Sequence, residues 1–293
     1  MTDGPVSGAL LLDKPPGLTS AGAVARVKRL LPRGTKVGHT GTLDPLASGL
    51  LVLLIGRSTR LSRYVTDLDK TYTATARFGA VSDTLDAEGE ITTLDRAPMP
   101  DEATLRAALP AFTGHVLQIP PMASALKRGG TRLYELHRRG LTVEREPRPV
   151  TIHALDLLTL DPARRSATFK VFCTSGTYVR TLISDLAHHL ETGAYLTALR
   201  RTRVGHLALE KATSPDALSE TSFHDHIIQS REVVAHLPRV EVGEEGELAV
   251  RSGRAIPARG MGGSFRVERE GVLLGIYRDG EAEARAEVVL CGA

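Results

Sequence analysis

Gly38-His39-Thr40-Gly41-Thr42-Leu43-Asp44-Pro45-Leu46-Ala47-Ser48-Gly49 runs directly into the apolar segment Leu50-Leu51-Val52-Leu53-Leu54-Ile55. Glycine admits backbone angles closed to other residues, and Pro45 fixes its own φ while pushing Asp44 away from helical angles. The stretch therefore predicts a rigid turn that presents one carboxylate just ahead of a short central strand. Turn chemistry alone equally allows an Asp that only bonds its own backbone. The rest of the chain has to decide between the two.

Upstream, residues 8–13 predict a buried strand and Lys14-Pro15-Pro16-Gly17 a stiff turn. Residues 20–31 predict a helix capped by Thr19 or Ser20, with Val24, Val27 and Leu31 on one stripe. Residues 70–79 alternate: Tyr72, Ala74, Ala76 and Phe78 share one face, Thr71, Thr73, Thr75 and Arg77 the other. Further on, residues 101–109 read as helix, Gly129-Gly130 as a two-residue turn and residues 134–139 as a helical piece. Residues 177–191 carry the stripe Val179, Leu182, Ile183, Leu186 and Leu190, which predicts a helix capped by Ser175 or Thr177 and closed by Gly193. Arg180 falls off that stripe, in the first turn. Beyond Leu237-Pro238 come short β-like runs (239–242, 264–267, 272–277, 286–290), which predicts a domain boundary there.

The 293 residues exceed the usual single domain of roughly 100 to 200, so a large domain (1–236) and a small one (237–293) are expected. A 42% hydrophobic share without a signal-peptide pattern or long apolar run predicts an intracellular protein with no membrane partner. Cys173 and Cys291 form no Cys-x-x-Cys, which suggests neither a disulfide framework nor a zinc site and points to the reducing cytoplasm. The net charge is only +3, yet residues 121–150 hold seven Lys or Arg against three acids. Such a strip suits a phosphate backbone, although a solvated charged face leaves the same pattern. Residues 239–293, with eight Arg against ten acids, form no polybasic tail.

Other chemistries have weaker claims. Ser124-Ala125-Leu126-Lys127 satisfies S-x-x-K, but the companion acyl-transfer signals are missing. His188-His189 and His224-x-His226 lack a third ligand at metal-binding spacing, and phosphate-loop and dinucleotide fingerprints are absent.

GHTGTLDPLASGLL (38–51) resembles the catalytic motif of the tRNA pseudouridine synthase B family. LLLDKPPGLTS (10–20), KTYTATARFG (70–79), SGTYVRTL (175–182) and LRRTRVG (199–205) resemble further segments of the same family, in the same order. The resemblance implies an α+β fold, a mixed and largely antiparallel sheet flanked by helices, with a small C-terminal β-rich domain like the PUA module. It implies isomerisation of uridine to pseudouridine in the tRNA T stem-loop, at position 55, with no cofactor, metal, guide RNA or obligatory protein partner. Asp44 is then the catalytic residue, and Arg180 the guanidinium that pairs with it. Such a pairing has a physical reason: burial raises a carboxylate pKa, so a nearby cation is needed to keep it charged.

By the same resemblance Tyr72 stacks on the flipped uridine, Tyr178 and Leu199 line its pocket, and His39 helps displace the nucleotide. Residues 112–140 resemble a thumb-like loop within an RNA-binding insertion at about 113–150. The expected RNA contacts are Lys14, Ser124, Lys127, Arg128, Arg132, Arg200 and Arg201, with Arg203 a further phosphate candidate. Ala123 stands where the resemblance puts Tyr in many relatives, so a stacking or hydroxyl contact from that side chain is not expected. Two rivals share the expected fold: a non-catalytic RNA-binding protein or tRNA chaperone, and a guide-RNA-dependent synthase.

Overall fold

The computed structural model describes residues 6–291. The chain opens with β1 (Gly8–Lys14), α1 (Ser20–Arg29), β2 (Val37–His39) and β3 (Ser48–Ile55), then turns through α2 (Ser62–Thr66) into β4 (Lys70–Phe78). A small hairpin of β5 (Ala80–Ser82) and β6 (Ile91–Thr93) precedes α3 (Glu102–Ala108) and β7 (Gly114–Gln118). The basic strip folds as the hairpin β8 (Lys127–Arg128) and β9 (Thr131–Arg132) followed by α4 (Leu133–His137). Next come β10 (Arg148–Asp161), β11 (Ser166–Cys173), α5 (Val179–His189), β12 (Ala194–Val204), β13 (Leu207–Ala208), β14 (Ile227–Ile228) and α6 (Ser230–Val233). The C-terminal part holds β15 (Arg239–Glu241), α7 (Glu244–Arg251), β16 (Ile256–Pro257), β17 (Ser264–Arg269), β18 (Val272–Asp279) and β19 (Glu283–Val289).

The large sheet runs β14-β1-β3-β12-β4-β11-β10-β7, antiparallel except where β12 meets β3. That parallel contact is short, Arg200 opposite Ser48 and Arg201 opposite Gly49, after which β3 pairs β2 instead. The two strands diverge there, and the loop from β2 to β3 fills the opening.

The alternation along β4 places Tyr72, Ala74, Ala76 and Phe78 in the main core with α5 and β11. β1 and β3 are buried on both faces, as their continuous apolar runs require. Leu10, Leu12, Leu51 and Leu53 enter the main core, whereas Ala9, Leu11, Leu50 and Val52 pack with Leu273, Ile276 and Val288 of the C-terminal sheet. That second sheet has the order β15-β17-β18-β19-β16. Polar contacts reinforce the apolar joint. Arg57, Arg60 and Arg63 recur every third residue, the spacing that aligns side chains on a tight helical turn. Arg57 Nη1 donates to the Leu290 carbonyl (3.0 Å), Arg60 bonds the Val289 carbonyl, and Arg63 Nη2 pairs with Glu287 (3.1 Å).

Two expectations need correction. The α5 helix starts at Val179 with Tyr178 as its N-cap, whose side chain makes no capping bond; neither Ser175 nor Thr177 caps it. Its end falls at Leu190, before Gly193, and Gly193 instead allows close approach, since a Cβ there would meet Leu94 Cδ1 at 2.6 Å. In the C-terminal part, α7 lies between the predicted runs 239–242 and 264–267, where no element is expected. Its three first-turn acids suit a helix N-terminus.

Glu287 sits at the joint. Burial pushes its carboxyl up, but hydrogen bonds from Ser264, Arg278 and Tyr64, with the Arg63 charge, overcome this and hold it at about 2. A carboxyl depressed in the folded state contributes stability above its unfolded pKa and loses it as pH falls through the folded value. Glu287→Gln should therefore lower the thermal unfolding midpoint at neutral pH, and its deficit against the natural chain should shrink from pH 4.5 down to about 2.

Candidate active site

Asp44 lies in the loop that fills the opening between β3 and β12, and three buried cations hold that loop. Lys14 is wholly buried at the end of β1; its ammonium donates to the carbonyls of Pro15 (2.9 Å), Leu18 (2.6 Å) and Pro45 (3.4 Å). Arg201 on β12 donates from Nε to Leu50 O (2.8 Å) and from Nη2 to Gly41 O (3.0 Å). Ser20 adds a two-way link, its hydroxyl donating to Leu43 O (3.0 Å) and accepting from Leu43 N (2.9 Å). Gly49 makes the approach of β12 possible: its φ is +95°, and a Cβ would stand 2.3 Å from the Arg201 carbonyl oxygen.

The third cation touches the carboxylate itself. Arg180 Nη2 lies 3.0 Å from Asp44 Oδ2, with the guanidinium 5% exposed and the Asp44 side chain 36% exposed. The same guanidinium reaches Asp86 Oδ2 (3.3 Å) and donates to Thr84 O and Ala123 O, both at 2.7 Å. Arg180 is thus saturated and fixed, unlike a pair on an exposed surface. Burial pushes the Asp44 carboxyl above the usual carboxylate range; Arg180 opposes this and Asp86 adds to it.

Around this centre the structure gathers most of the expected pocket residues. Tyr72 lies opposite Arg201 in register and Leu199 opposite Ala74, both buried. Burial raises the Tyr72 phenol, against the pull of Arg201. Tyr178 stands at the start of α5, where its backbone N–H donates to Gln118 Oε1 (3.0 Å) and its carbonyl accepts from Gln118 Nε2 (3.3 Å). Ser124 is buried near the Tyr178 phenol. His39 ends β2, half-buried, and burial lowers its pKa. What these parts form is one ionisable oxygen, rigidly held, beside aromatic and aliphatic surface.

The family model for TruB family pseudouridylate synthase (N terminal domain) matches residues 28–179. The chain belongs to that family. The tRNA pseudouridine synthase B of Burkholderia lata is 47% identical over 284 residues, spanning 93% of this chain and 87% of the relative. That of Aromatoleum aromaticum is 45% identical and spans 92% of this chain and 88% of its own. A chain from the crystal structure of a Cbf5-Nop10-Gar1 complex superposes with a TM-score of 0.71 at 25% identity, over 97% of this chain and 84% of that one. The fold is therefore the pseudouridine synthase fold with a small C-terminal β-rich, PUA-like domain.

Within this TruB-family chain, several expected RNA contacts are placed differently. Lys14 and Arg201 are interior residues, 0% and 2% exposed, and both bond backbone carbonyls, so neither faces a phosphate. Arg200 is ion-paired with Asp13 (2.7 Å). Ser124 is buried, so it is not a surface contact. Lys127, Arg128 and Arg132 are exposed on the β8–β9 hairpin, whose turn is Gly129-Gly130.

Thr84, Asp86 and Gln118 are site residues that sequence reading passes over. Leu85 adopts φ +63°, a left-handed angle that costs a non-glycine residue energy. It lies between Thr84 and Asp86, both of which reach Arg180. The only sequence signal is a turn-like SDTLDAEG, which says nothing about its target.

Gly49→Ala should cost about 1–3 kcal/mol in backbone strain and push β12 off the loop. Urea unfolding would show the loss. Activity should fall further than stability explains, because Arg201 and with it Gly41 must shift.

Proposed function

We propose that this chain converts uridine to pseudouridine in tRNA, at the T-loop uridine 55, with the Asp44 carboxylate as the reacting group. The observation that carries the reading is the Asp44–Arg180 contact at 3.0 Å, inside a loop held by buried cations. The isomerisation breaks the bond from C1′ to N1, forms one from C1′ to C5, and moves the C5 proton to N1. Atoms balance without redox agent or cofactor. A charged carboxylate serves such a reaction as nucleophile or as base. Arg180 keeps the charge and aims it.

The base has to leave the RNA stack, which costs a few kcal/mol, and flat side chains recover part of that. Tyr72 supplies the stacking surface in this reading, Tyr178 and Leu199 the walls, and His39 the group that takes the vacated place. Residues 1–236 form the catalytic domain, with the insertion at about 113–150 gripping the RNA. Residues 237–293 form a PUA-like RNA-binding domain. The high identity to relatives named for tRNA favours a stand-alone enzyme over a guide-dependent one. Free Cys173 and Cys291 suit the reducing cytoplasm.

The test is the purified chain with an unmodified tRNA transcript and no other component. Pseudouridine should form at a single T-loop position, and Asp44→Asn should bind the transcript normally yet give none. Turnover by that variant would overturn the assignment and leave an RNA-binding protein. The acid limb of kcat/KM should lie above the ordinary aspartate range, because desolvation raises the Asp44 carboxyl and its protonated form is inactive.

A further inference from the structure

Between Lys14 and Leu43 the chain contains no Asp or Glu and no Phe, Tyr or Trp, yet it carries Arg26, Lys28, Arg29, Arg33 and Lys36. Arg26 is neutralised by Asp216 at 2.8 Å. Lys28, Arg29, Arg33 and Lys36 are exposed and make no ion pair among the described residues. A helix C-terminus accounts for cations in its last turn. That covers Lys28 and Arg29 but not Arg33 or Lys36, which lie beyond the C-cap Leu30.

The backbone bearing these charges is anchored. Thr35 bonds the Pro32 carbonyl through N (3.1 Å) and Oγ1 (2.7 Å), and the Lys36 carbonyl accepts from Gly56 N (2.8 Å). From Lys36 the chain passes directly into β2 and His39, about 10 Å along an extended strand, and then to Asp44. This patch and the site lie toward opposite ends of β3, Lys36 beside Gly56 and Asp44 ahead of Ser48, and free cations connect to the site along two segments. The β8–β9 hairpin joins it through Ala123 O on Arg180, and this patch joins it through β2.

We propose that Lys28, Arg29, Arg33 and Lys36 form a second RNA contact, which takes backbone phosphates of the same RNA at a distance from the nucleotide held at Asp44. The ligand chemistry follows from what the patch contains and lacks. Unpaired point charges suit phosphates, and without an aromatic platform there is no means of stacking bases. The contact is sequence-independent. It rests on the RNA-modifying reading of the Asp44 site.

The decisive experiment titrates the full chain with unmodified tRNA transcript across 50–200 mM salt. Each neutralised phosphate adds about 0.7–0.9 to the slope of log affinity against log salt. The K28Q/R29Q/R33Q/K36Q variant should lose about three from that slope and bind at least about tenfold more weakly at 100 mM salt. Its kcat at saturating RNA should be unchanged. Arg26→Gln, already paired in the natural chain, should leave the slope alone. Should the fourfold variant unfold, Arg33→Glu on the exposed turn carries the same decision through a slope change of about one. An unchanged slope, or a fall in kcat at unchanged affinity, overturns the proposal. Turnover by Asp44→Asn would instead defeat the catalytic reading while leaving the salt-slope result intact.

Discussion

Three cations inside the protein hold one loop, and the position of Asp44 depends on them. Burying a cation is costly unless its donors are satisfied. Lys14 bears the mark of that cost: burial drops its pKa to about 8, against the support of Glu88 and Asp44. Its bonds to Pro15, Leu18 and Pro45 carbonyls tie the Lys-Pro-Pro-Gly turn to the Asp44 loop, a tie doubled by Gly17 N to Pro45 O at 2.8 Å. Arg201 does the same from β12, and Arg180 from α5. Three separate elements therefore converge on a segment that has no regular structure of its own. A loop fixed in this way is preorganised, which is what positioning a reactive group requires.

The same segment is coupled to the far end of the chain. β3 leaves the Asp44 loop at Gly49 and passes between two cores, so its alternate residues bear on the main domain and on the C-terminal sheet. The arginines at 57, 60 and 63 grip the last strand immediately after β3 ends. Only a strand and a tight turn thus separate the candidate catalytic carboxylate from the joint with the PUA-like part. The two parts meet as a packed interface with apolar and ionic components, which sets a fixed distance between any RNA held by one and the site of the other.

Legibility in the sequence followed the kind of signal each residue leaves. Strands β1, β3 and β4 and helices α1 and α5 were readable because their periodicity records which side is buried. The turn that carries Asp44 was readable because glycines and a proline build it, whereas the role of its carboxylate was suggested only by the family resemblance. Lys14 and Arg201 were misread as RNA contacts because charge in a sequence does not show which carbonyls lie opposite it. Arg180 illustrates the same blind spot from the other direction. It falls off the apolar stripe of its helix, yet it is buried, since carboxylates and carbonyls can satisfy a guanidinium as completely as water does. Asp86 and Thr84 left no trace because their role comes from the turn at Leu85, a long-range consequence of β12 pairing across that loop.

Arg180 also links the Asp44 loop to two other segments. One of its nitrogens bonds both Asp44 and Ala123 O, at the root of the insertion, and the other bonds Thr84 O and Asp86. The insertion is further tied to that turn by His137 Nε2 on Asp83 Oδ2 at 3.2 Å. Any movement of the insertion root therefore alters the surroundings of the guanidinium that offsets the burial of Asp44. This link does not depend on the side chain at position 123, because the bond runs to the backbone carbonyl. Tyr178, which caps the helix that carries Arg180, is held through its main chain by Gln118.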